Sequence, residues 1–137
     1  MNFIDFLIQE WILVAILAVL IAFYVLRDRL QSGLPVSPNE LTQLINSEKA
    51  VVLDIRPQAE FKAGHLVSAI NIAYEKINTD QSDLEKHKSK IIIVVDKMGQ
   101  YSGAVGKVLI KKGFDVRRLS GGIGEWQAQN LPLVKTK

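Results

Sequence analysis

From Trp11 to Leu26 the chain runs for sixteen residues without a charge or a strongly polar side chain, and eleven of them are Leu, Ile, Val or Phe. At roughly −0.3 to −0.6 kcal/mol each, those eleven favour insertion into lipid by about 3 to 7 kcal/mol. As a helix the run spans about 24 Å, slightly short of a ~30 Å hydrocarbon core. Phe3 to Ile8 can extend it, leaving Asp5 and Glu10 near one interface, where charge costs less than at the bilayer centre. A secretory signal peptide fits poorly, because the segment before the run carries acids rather than Lys or Arg and no Ala-x-Ala site follows. A helix that is apolar on every face also suits lipid better than the core of a small domain. The expected organisation is a transmembrane helix over residues 1–26, a juxtamembrane linker over 27–36 and one folded domain over 37–137.

Arg27 and Arg29 follow the apolar run directly, whereas the N-terminus is acidic. The positive-inside bias places the C-terminal domain in the cytoplasm, with the N-terminal residues across the membrane. Trp11 and Tyr24 read as interface anchors. Residues 27–137 hold all seventeen basic residues against twelve of the fourteen acidic ones, a net of +5. That charge suits a domain held beside an anionic leaflet. The lysines (Lys49, Lys62, Lys76, Lys107, Lys135) are scattered and lack interleaved aromatics, so no nucleic-acid partner is expected. The absence of Cys fits a reducing compartment. With two His and no Cys the chain offers no zinc site, and no cofactor is expected.

The domain alternates strand and helix. Ser37-Pro38-Asn39-Glu40 supplies a cap, a proline suited to the first helical position and the acid of a capping box. Leu41, Leu44 and Ile45 then recur at helical spacing. Strands are expected at Val51–Ile55, Ala69–Ile72, Ile91–Val95 and Val116–Leu119, and helices at Gln58–Ala63, Ser102–Lys112 and Ile123–Gln129. Lys76 to Lys90 reads as a polar loop and a short helix bearing His87 on a solvated surface. Ile91–Val95 is the most apolar stretch of the domain, as a central strand covered on both faces requires. This pattern predicts an α/β fold with a parallel sheet flanked by helices. The loop Asp96-Lys97-Met98-Gly99-Gln100-Tyr101 follows the central strand and opens a helix, the place where open α/β sheets put ligands and catalytic groups.

Two motifs carry a resemblance. The first is Asp54-x-Arg56, then Glu60-Phe61, Gly64-His65-Leu66 and Ala69-x-Asn71. The second is Gly113-Phe114, Leu119-x-Gly121-Gly122, Trp126 and Leu131-Pro132. Together they resemble a rhodanese-like domain over about residues 35–137. With the apolar helix in front, the chain resembles the single-pass, membrane-anchored bacterial rhodanese-domain proteins of the YibN type. That resemblance implies an inner-membrane location.

In the sulfurtransferases of this family, the resemblance implies, a Cys at the first loop position attacks sulfur in a donor and becomes a persulfide. Loop N–H groups and the following helix N-terminus stabilise its thiolate, and a basic residue often closes the loop at its sixth position. Here the first position is Asp96 and the sixth is Tyr101. A carboxylate cannot form a persulfide, and its charge repels an anionic substrate. Non-catalytic copies in tandem rhodaneses also often carry Asp there. The expectation is therefore a catalytically inactive domain, with Asp96 accepting loop N–H groups and capping the helix. Its expected role is an adaptor that presents a binding surface to another membrane or membrane-associated protein.

Alternative roles are a sulfurtransferase- or phosphatase-type enzyme and a ligand sensor using the Asp96 loop. An aspartyl-phosphate route needs a metal held by further acids, and only Asp54 or Asp115 could be brought there by the fold. Asp54 and Arg56 read as an ion pair fixing the turn rather than as a catalytic pair. His65 reads as a fold-supporting imidazole rather than a general base. Glu60, Gly64, Gly121 and Gly122 read as structural motif positions, and Trp126 as core. Lys97 has two open readings, pairing with Asp96 or reaching solvent.

Overall fold

The computed structural model describes residues 2–79 and 82–136. Two compact units emerge, residues 1–30 and residues 31–137. The first contains a short helix α1 (Phe3–Gln9) and most of α2 (Trp11–Ser32), with a turn at Glu10 between them. Twenty-two residues of helix reach about 33 Å. Among the described residues α2 is the one helix long and apolar enough to cross a membrane. Its apolar side chains are exposed all around, as lipid contact requires.

The expected linker over 27–36 is replaced by regular structure. Helix α2 continues through Ser32, and Leu34–Val36 forms strand β1. The residues from Arg27 to Ser32 include no Pro or Gly, so nothing in them stops the helix before Gly33. Gly33 takes φ +93° and turns the chain into β1. That strand lies parallel to β5 (Asp115–Leu119) at the sheet edge, where Pro35 breaks no ladder.

The other elements of the second unit follow the expected alternation, with ends moved by one or two residues. In chain order they are α3 (Pro38–Asn46), β2 (Ala50–Asp54), α4 (Gln58–Ala63), β3 (Ile70–Asn71), a 3-10 turn (Tyr74–Lys76), α5 (Ser82–Glu85), β4 (Ile91–Val95), α6 (Ser102–Lys111), β5 and α7 (Gly122–Ala128). Ser37 Oγ accepts from the Glu40 N–H at 3.1 Å and caps α3. Among the described residues the exposed Glu40 side chain makes no return bond, so the cap is one-sided.

All five strands are parallel, in the order β1-β5-β4-β2-β3. Strand β4 is central, and its side chains alternate between two cores. Ile92 and Val94 pack with Leu53, Val105, Leu109 and Phe114 on one face. Ile93 and Val95 pack with Leu41, Val52, Ile123 and Trp126 on the other. On the first face Gly106 of α6 lets the backbone of Ser32 approach: a Cβ there would lie 1.9 Å from the Ser32 carbonyl oxygen. This contact buries Ser32 and fixes the entry to β1. Arg118 Nε donates to the Gly33 carbonyl at 2.8 Å beside it.

Candidate functional site

The loops after β2 and β4 meet at the carboxyl ends of the strands, where the sheet order reverses. Asp96 follows Val95 directly, is 4 % exposed and turns its carboxylate back into its own loop. Oδ1 accepts the Gly99 N–H, and Oδ2 accepts the N–H groups of Tyr101 at 2.8 Å and Ser102 at 3.1 Å. Three backbone donors that converge at the start of α6 therefore hold one side chain.

The loop is held from outside as well. Ile123 N–H donates to the Asp96 carbonyl and Gly124 N–H to the Lys97 carbonyl, both at 2.9 Å. Only a glycine permits this approach at position 122. Its φ is +62°, and a Cβ would lie 2.5 Å from the Asp96 carbonyl oxygen. The Gly121-Gly122 turn thus docks the head of α7 on the Asp96 loop.

Across the site, Arg56 folds back onto Asp54. Arg56 Nε lies 3.0 and 3.1 Å from the two Asp54 oxygens and Nη2 lies 2.8 Å from Oδ2. Nη2 also donates to the Gly64 carbonyl at 2.6 Å, and the Arg56 N–H donates to Asp54 Oδ1. Asn71 Nδ2 bonds the carbonyls of both Asp54 and Arg56 at 3.0 Å. Asp54 is fully buried. Its charge is matched by a two-pronged guanidinium, which ties the end of β2 to Gly64 and β3. His65 is buried, stacks on Phe61 and donates from Nδ1 to the Phe61 carbonyl at 2.8 Å. Its backbone pairs with Val134, so it pins the C-terminal segment. Trp126 is buried and donates to the Pro132 carbonyl at 3.0 Å.

Asp115 stands beside Ile91 at the opposite end of the sheet and pairs with Arg117. Asp54 is occupied by Arg56. Neither acid joins Asp96, and among the described residues no group of three or more metal-ligating side chains forms. His87 follows α5, away from the loop, and is half-buried rather than fully solvated. Lys97 is exposed and forms no ion pair with Asp96 among the described residues.

Two open pockets flank Lys97 and Met98. One, of about 410 Å³, reaches Asp96, Tyr101, Tyr74, Glu60 and Glu75. The other, of about 590 Å³, reaches Gly64, Ile123, Gln127 and Lys135. Tyr74 and Glu75 were not legible as site residues. They follow β3, and only the pairing of β3 with β2 carries them to the Asp96 loop.

A family model for the rhodanese-like domain matches residues 37–129. This chain belongs to the rhodanese-like domain family. The chain is 40 % identical over 104 residues to the uncharacterized protein YibN of Escherichia coli K12, covering 74 % of this chain and 73 % of YibN. It is 30 % identical over 94 residues to the thiosulfate sulfurtransferase GlpE of Pseudoalteromonas translucida, covering 68 % of this chain and 88 % of GlpE. The crystal structure of a rhodanese-related protein from Thermoplasma volcanium superposes with a TM-score of 0.67 at 26 % identity, over 73 % of this chain and 96 % of that one. The rhodanese-like fold expected from the two motifs is the fold of this domain.

Proposed function

We propose that this protein is a membrane-anchored rhodanese-like domain without sulfurtransferase activity, serving as a protein-interaction module at the cytoplasmic face of a bacterial inner membrane. The observation that carries this reading is the Asp96 carboxylate bonded to the Gly99, Tyr101 and Ser102 N–H groups. A carboxylate in that cradle supplies no sulfur nucleophile, and it occupies the donors that an anionic substrate would use. The enzymatic reading draws support from the GlpE relative, but persulfide chemistry needs a thiol and this chain contains no Cys.

Helix α2 anchors the domain, and Arg27 and Arg29 orient it with the N-terminus outside. Confinement to the membrane raises the effective concentration of the domain toward a membrane or membrane-associated partner. The test combines two measurements. The full chain in mild detergent, assayed with thiosulfate and cyanide, gives no turnover. Crosslinking in intact membranes captures a protein partner, and capture falls when residues 1–26 are removed. Turnover that disappears in Asp96→Ala would overturn this reading.

A further inference from the structure

The smaller of the two pockets beside the Asp96 loop has a composition opposite to that of an anion site. Its walls include the Tyr74 and Tyr101 rings, whose centroids lie 4.8 Å apart at an interplanar angle of 40°. Both rings are partly open to solvent, and Met98 beside them is 66 % exposed. Glu60 and Glu75 line the same pocket and are exposed, and neither is in an ion pair among the described residues. Asp96 borders the pocket as well, but its carboxylate is held by the N–H groups of its own loop. Of the two basic residues in the wall, Arg56 is neutralised by Asp54, which leaves Lys97. Two exposed carboxylates against one lysine leave an excess of one negative charge in a cavity of about 410 Å³.

Aromatic faces attract cations through the ring quadrupole, and Arg does so best because its flat guanidinium stacks while its N–H fork meets carboxylates. We propose that this pocket binds an arginine side chain presented by a partner polypeptide. The guanidinium stacks on the Tyr74–Tyr101 pair and donates to Glu75 and Glu60, and its methylene stem runs along Met98. This inference deepens the interaction-module reading and rests on it. It also gives Tyr101 a role, since a basic residue at that loop position would repel the ligand that the ring attracts.

The test uses the full chain in detergent micelles, titrated with acetyl-Gly-Arg-Gly-Arg-Gly-amide and followed by amide NMR. The same peptide with Glu in place of Arg, and thiosulfate, serve as anionic probes. The expected result is saturable shifts at the amides of Glu75, Met98 and Tyr101 with the arginine peptide, and none with the anionic probes. In Glu60→Gln/Glu75→Gln the affinity falls about tenfold, as loss of charge complementarity predicts. Both positions are exposed, so the double variant keeps its fold, and its amide spectrum verifies this. Unchanged binding in that variant, or preferential binding of either anionic probe, would overturn the inference. The crosslinking experiment separates the two levels. A partner captured equally well by Glu60→Gln/Glu75→Gln overturns the arginine site and leaves the interaction reading standing. A pocket that binds the arginine peptide in a chain that captures no protein keeps the site and removes the adaptor role.

Discussion

The Ser102 amide donates to Asp96 Oδ2 over 3.1 Å, and this bond joins the end of the central strand to the first turn of α6. Tyr101 donates to the same oxygen and Gly99 to the other, so one side chain closes the whole loop. A carboxylate near a helix N-terminus also gains from the helix dipole. Replacement by alanine leaves three N–H groups to find water in a partly buried loop. Asp96→Ala is therefore expected to lower stability by about 1–3 kcal/mol. Asp96→Asn keeps only one accepting oxygen and recovers part of that loss. Thermal unfolding of the full chain in detergent, followed by near-UV circular dichroism, measures both.

The same cradle makes a prediction about thiol chemistry. In Asp96→Cys the three N–H groups face a sulfur and favour its thiolate. Its pKa is expected to fall below that of a free cysteine, to about 7.5 or less. Alkylation by iodoacetamide should then proceed near neutral pH, with a midpoint at least about one unit below that of an exposed cysteine. A pH-rate profile ordinary for an exposed thiol would show that these donors do not reach the side chain at position 96.

Arg56 and Asp54 behave as a unit. Arg56→Ala leaves the fully buried Asp54 carboxylate unmatched, and the expected cost is about 3–5 kcal/mol. Arg56→Lys restores the charge, but one ammonium cannot serve both Asp54 oxygens and the Gly64 carbonyl. It should recover less than half of the loss. Equal stability of the lysine variant and the wild type would show that charge alone holds this turn.

Gly122 and Gly99 form a matched pair for a test of docking. Both have positive φ, +62° and +89°, but a Cβ at Gly122 strikes the Asp96 and Lys97 carbonyls, while one at Gly99 meets nothing within 4 Å. Gly99→Ala should cost about 1–2 kcal/mol from left-handed backbone alone. Gly122→Ala should cost more, because α7 must also withdraw from the loop. Equal midpoints for the two variants in urea would remove the docking role assigned to the Gly121-Gly122 turn.

Much of the fold was legible residue by residue. Ile91–Val95 is apolar at every position because both faces of β4 are covered. The Pro38 start of α3 and the Gly113 stop after α6 follow from backbone chemistry alone. The stretch from Arg27 to Val36 was not legible. Its helical part has no breaker to mark an end inside it. Its strand, Leu-Pro-Val, is too short to show a period and exists only by pairing with Arg117, Arg118 and Leu119. At the site, the loop that Asp96 opens and the Asp54–Arg56 pair could be read from motif and spacing. Tyr74 and Glu75 could not, because nothing local ties them to a loop more than twenty residues downstream.

By itself the sequence determined that a long apolar helix precedes a parallel α/β domain and that the loop after the central strand begins with a carboxylate in a chain without Cys. Hydropathy, periodicity and residue chemistry act over a few neighbours, so they are written in the order of the letters. Only the tertiary structure decided that the Asp96 oxygens meet the Gly99, Tyr101 and Ser102 amides, and that Glu60, Glu75 and two tyrosines border the same pocket. Hydrogen bonds and charge pairs act over a few ångströms, and which distant residues come that close is set by strand order and loop docking.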